Sequence, residues 1–195
     1  MKKTLYANAA TDKFIPILHL DMDAQTARRM ACRTKVAHFY RRTYLRCVFA
    51  LIEGATFFLK EVVLHGTKKP EAMFSPAELF ILRETAYSLD ERGRVQERLQ
   101  YFRVADNLRF IVALINRLFS VSVDLGVGST GWQAFQKTSE LRNTLTHPRP
   151  SDDVGVSDEQ LELICQTHDW ITGVLDQITY VIYPRRRARV TNNEV

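Results

Sequence analysis

Arg142, Asn143 and His147 lie close together in the segment Leu141-Arg142-Asn143-Thr144-Leu145-Thr146-His147-Pro148, and these three side-chain types can cleave RNA without a metal. An arginine grips a phosphate through paired, charge-assisted hydrogen bonds. A histidine moves a proton near neutral pH. Asn143 and His147 are four residues apart, so on a helix they share a face and the amide can bond the imidazole or a substrate. Pro148 disfavours helical dihedrals at the residue before it, which puts His147 where a helix ends and the surface opens. Thr146 adjoins the histidine as a supporting residue.

Spacing alone carries little. With 19 arginines and 5 histidines in 195 residues, chance supplies about one or two arginine–histidine pairs in such a window. Arg33-Thr34-Lys35-Val36-Ala37-His38 is one of them, with no polar residue after the arginine and a place inside a long helical stretch. Requiring that polar residue and the terminating proline lowers the chance rate roughly tenfold. Arg142–His147 is therefore the pair to follow.

With Arg142, an asparagine directly after it and His147 four residues further on, the segment resembles the signature of the HEPN superfamily, small all-helical nucleotide-binding domains. The resemblance spans about residues 25–182, and only the motif is specific. It implies an up-and-down bundle and a homodimer with two motifs facing across a two-fold axis. It also implies RNA as the partner, cut without metal or other cofactor. His147 would move the proton, Arg142 would hold the scissile phosphate, and the substrate 2′-hydroxyl would attack. A toxin or defence role, with a protein antitoxin as a further partner, is also implied. Some antitoxins of this family modify a tyrosine two residues after the histidine; Arg149 stands there in this chain. In HEPN-like domains a polar residue on an early helix often supports the site, a role open to Glu53. The simpler reading of Glu53 is a half-exposed acid near Arg46 or Lys60.

Few, long elements must position this motif, since 8 Gly and 6 Pro leave room for few turns. Three regions are expected: an N-terminal arm over 1–22, a helical domain over 23–183 and a basic tail over 184–195. Asp21 or Asp23 can cap a long helical region reaching about Leu64, closed by Gly66. Ser75-Pro76-Ala77-Glu78 combines an N-cap, a first-turn proline and a capping-box glutamate, opening a helix to about Leu89. Apolar positions from Leu99 to Leu118 mark a helix over about Val95–Phe119. The motif helix is expected over Trp132–Thr146. Ser157-Asp158-Glu159-Gln160 is a second capping box, starting a last helix to about Val181. Five helices in an all-α bundle result.

Gly126-Val127-Gly128-Ser129-Thr130-Gly131 fits a dinucleotide-binding fingerprint, but no second strand follows to build the required β-α-β unit. A hinge between helices explains the glycines more simply. Cys32, Cys47 and Cys165 have no metal-ligand spacing and read as reduced thiols of a cytoplasmic protein. No signal peptide is read at the N-terminus. The most apolar run, Cys47–Leu64, is broken by Glu53, Lys60 and Glu61, so no membrane span is expected.

A net charge of +5 suits a polyanionic partner. Arg42, Arg46, Arg149, Arg185, Arg186 and Arg187 are the candidate RNA contacts, although a basic helix face is as often simply solvated. Two rival readings remain at this stage. One is a catalytically silent helical module that binds RNA or protein. The other is a DNA-binding regulator, for which no helix-turn-helix pattern is convincing.

Overall fold

A computed structural model describes the backbone of residues 3–33, 38–67, 69–149 and 154–182, with side chains from residue 15 onward. The described residues form α1 (Lys3–Arg33), α2 (His38–His65), α3 (Pro70–Met73), α4 (Pro76–Leu82), β1 (Thr85–Leu89), β2 (Val95–Leu99), α5 (Val104–Phe119), α6 (Thr130–Thr146) and α7 (Asp158–Ile182). Among the described residues the fold is helical apart from one antiparallel hairpin.

α2 is the centre. Its buried positions include Leu45, Val48, Leu51, Ile52, Ala55, Leu59 and Val62, the three-and-four spacing of a wide apolar face. It packs against α1, α5, α6 and α7. α1 and α2 run antiparallel: a Cβ on Gly54 would meet Leu20 Cδ1 at 2.5 Å, so glycine there lets the two helices close. α6 and α7 are antiparallel as well. Trp132 and Phe135 meet Trp170, and one turn on, the buried hydroxyls of Thr138 and Thr167 bond at 3.0 Å.

A polar network joins α1, α2 and α7 inside the core. The fully buried Tyr44 hydroxyl lies 2.9 Å from His168 Nδ1, and His168 Nε2 lies 3.2 Å from Asp21 Oδ1. An imidazole satisfied on both nitrogens in this way is a packed core group. Burial pushes the Tyr44 phenol well above its ordinary value.

Several expected boundaries move. Residues 3–22 of the expected arm are the first part of α1, which continues to Arg33 and carries Pro16. The single helical region to Leu64 is two helices. Arg33 and His38 therefore sit at a helix end and a helix start, not inside one helix. His38 Nδ1 accepts the Val156 amide at 3.0 Å, so that ring is occupied with positioning the segment before α7.

The helix opened by Ser75 has its capping box, with Ser75 and Glu78 bonding each other's amides, but it ends at Leu82. Glu84 then takes a left-handed φ of 54°, and the chain turns into β1. Asp90 organises the hairpin turn: its carboxylate accepts the Arg92 and Arg94 amides at 2.8 Å, and Gly93 supplies φ 71°. A three-residue loop of this kind needs a residue at positive φ. α5 accordingly begins at Val104 and not at Val95. Val121–Leu125 forms no strand, which removes the dinucleotide-binding alternative.

The second capping box is present, Ser157 and Gln160 bonding each other's amides. None of the described helices is long and apolar enough to cross a membrane.

Candidate functional site

α6 ends at the motif. Ser129 caps its start by accepting the Trp132 amide, and Trp132, Ala134, Phe135 and Thr138 fix its buried side. A Cβ on Gly131 would lie 2.7 Å from Trp170 Cβ, so that glycine allows the α6 start to sit on α7. Thr138, at 0% exposure, locks the helix one turn below Arg142.

Arg142 rises from this anchored base onto the surface. Its Nη2 donates to Glu53 Oε1 at 2.8 Å, across from α2. Nη1 points to Asn143 Oδ1 at 3.4 Å, a marginal bond. The guanidinium carbon lies 5.7 Å from the centroid of Phe49, and Phe49 itself stacks on Phe135. One edge is thus held by an acid and one face by an aromatic ring. Among the described residues no further hydrogen bond is made by the guanidinium, which carries five N–H groups. Among the expected site residues, Glu53 and Arg142 are brought into direct contact. Lys60, the alternative partner of Glu53, is buried and bonded to Glu84 at 2.6 Å instead.

His147 is the residue after α6, with φ −129° and ψ 61°, outside helical values as the following proline requires. Its backbone N–H donates to Asn143 O at 3.0 Å, closing the last turn. Its side chain is exposed, and no described residue hydrogen-bonds its ring. Thr146 Oγ1 donates to the Arg142 carbonyl at 2.7 Å, supporting the turn between arginine and histidine. Asn143 is exposed and its amide turns to Arg142, not to the imidazole. Asn143, Thr146 and His147 together form an open surface at a helix end.

The expected RNA contacts divide. Arg42 donates to Val154 O at 3.0 Å and so helps hold the segment ahead of α7. Two other arginines of α1 and α2 are engaged in the same way, Arg41 with Val156 O and Asp158, and Arg28 with Asp169. Arg46 and Arg149 are exposed. Arg185, Arg186 and Arg187 lie outside the described residues. Among the described residues no group of three or more His, Cys, Asp or Glu could hold a metal ion.

Two aromatic residues flanking Glu53 on α2 escaped the sequence reading. Phe49 sits one turn before Glu53 and lies against the guanidinium. Phe57 sits one turn after it and is 62% exposed. Their spacing of four on either side of Glu53 was visible, but nothing in it separates a site aromatic from a core one.

No family model, curated protein or solved structure matches this chain.

Proposed function

We propose that this chain is a metal-independent endoribonuclease of the HEPN type, acting as a homodimer on single-stranded RNA in a toxin or defence role. The observation that carries the reading is the end of α6. There Glu53 and Phe49 orient Arg142 while His147 stands exposed outside the helix.

The chemistry follows from these groups. Arg142 binds the scissile phosphate and stabilises the charge that builds on it in the transition state. The substrate 2′-oxygen attacks phosphorus as its proton passes to one His147, and the bond from phosphorus to the 5′-oxygen breaks as that oxygen gains a proton. Two histidines related by a two-fold axis divide the base and acid roles. The products carry a 2′,3′-cyclic phosphate and a 5′-hydroxyl.

One RNA oligonucleotide tests this. Cleavage should persist in EDTA, leave a cyclic phosphate, and stop at a position given a 2′-deoxyribose, which has no attacking hydroxyl. Binding without cleavage would favour the silent module, for which Arg142 already paired to Glu53 is the supporting observation.

A further inference from the structure

The β1–β2 hairpin turns an apolar face outward. Tyr87 pairs with Glu97, Leu89 with Val95 and Thr85 with Leu99. Since alternate residues share a face, Tyr87, Leu89, Val95 and Leu99 lie on one side, at 47, 69, 68 and 66% exposure. Phe80, 40% exposed, packs edge-on against Tyr87 at 5.1 Å, and Tyr101, just past β2, is 80% exposed. Taking about 200 Å² for each aromatic side chain and about 120 Å² for each aliphatic one, the six leave roughly 600 Å² open. That is at the upper end of the apolar patch a monomer keeps, about 300–600 Å².

The hairpin is firmly built. Lys60, 2% exposed, bonds Glu84 at its base, the Gln100 amide donates to Glu84 O at 2.8 Å, and Asp90 fixes the turn. A two-stranded ribbon is marginal alone, and every residue of β2 is exposed. This is an anchored element whose apolar side lacks cover among the described residues.

We infer that this face is a dimerisation surface that receives the same face of a second copy of the chain. Two such faces together would bury about 1,200 Å², the lower end of a specific interface. Glu97 is the one charge among the paired residues of that side and lies on the outer strand, so two copies can meet without rows of like charge, and the face holds no cation for a phosphate. The choice of a second copy as occupant rests on the two-copy arrangement proposed above.

Sedimentation of the full chain tests the inference. Wild type should be a dimer. Leu89→Arg with Leu99→Arg should weaken self-association at least about a hundredfold, with helicity unchanged because both side chains are exposed. Ser88→Arg with Gln96→Arg, on the opposite face, should dimerise like wild type. A monomeric wild type at tens of micromolar, or a dimer indifferent to the leucine changes, overturns the surface. Loss of the dimer in the leucine variant, with a wild type that cuts no RNA, supports the surface and sinks the ribonuclease reading. Wild-type cleavage with assembly unaffected by the leucine changes does the reverse.

Discussion

Glu53 and Arg142 bond at 2.8 Å with 43% and 35% of their side chains open to solvent. An ion pair this exposed contributes about 0–1 kcal/mol, too little to explain it as a stability device. Its effect is on direction: it holds the guanidinium over Phe49 and toward the end of α6. The same carboxylate repels an incoming phosphate. Glu53→Ala should therefore lower kcat by about tenfold, through loss of positioning, while lowering KM for RNA at low salt. Glu53→Gln should recover part of kcat and keep the lower KM. Steady-state kinetics on one oligonucleotide read both, and a variant that raises KM with kcat unchanged would contradict the assignment. The Arg142–His147 segment was legible because its features are local: a helix end, a proline and three neighbouring side chains. Phe49 was not, because its contact with Arg142 spans two helices.

At the scale of elements, capping chemistry was the reliable signal. The starts of α4 and α7 follow from Ser75 and Ser157, whose hydroxyls and three-on partners act within one turn. The hairpin was missed because Thr85-Ala86-Tyr87-Ser88-Leu89 also fits a helix continuing from α4, and its turn depends on the Asp90 carboxylate and on Gly93 at positive φ. The Lys60–Glu84 pair holds the turn that follows α4. Glu84→Ala should cost about 2–4 kcal/mol by leaving Lys60 charged and buried, the partial exposure of Glu84 keeping it below the extreme. Lys60→Met combined with Glu84→Gly should regain much of that, since it removes the stranded charge and relaxes the left-handed φ. Urea unfolding of the three variants measures it, and a double variant no better than Glu84→Ala would refute the account. A second effect concerns pH. The Arg117 guanidinium, with the Ser75 amide, holds the Glu78 carboxyl below the usual range. A depressed carboxyl stabilises the fold above its unfolded pKa and loses that contribution as pH falls through the folded value. Glu78→Gln should accordingly lose stability near neutrality yet show a shallower fall in melting temperature down to about pH 3. An acid limb as steep as wild type would count against it.

Across the described residues, three arginines of α1 and α2 serve internal attachment. Arg28, Arg41 and Arg42 tie α1 and α2 to α7 and the segment before it, which helix composition alone could not reveal. The helical class was legible from long amphipathic stretches; the division of residues 21–64 into α1 and α2 was not, since no glycine or proline lies between Arg33 and His38. That division puts both arginine–histidine pairs at helix ends and makes their comparison the sharpest test of the ribonuclease proposal. His38 is bound to the Val156 amide and far less available for proton transfer, whereas His147 is open beside an oriented Arg142. Cleavage of single-stranded RNA should be measured in parallel for His147→Ala, Arg142→Ala, His38→Ala and Arg33→Ala, each checked for an unchanged fold. The account predicts loss of at least about a hundredfold in kcat for the first two and nearly wild-type turnover for the last two; cleavage that survives His147→Ala and vanishes with His38→Ala would contradict it.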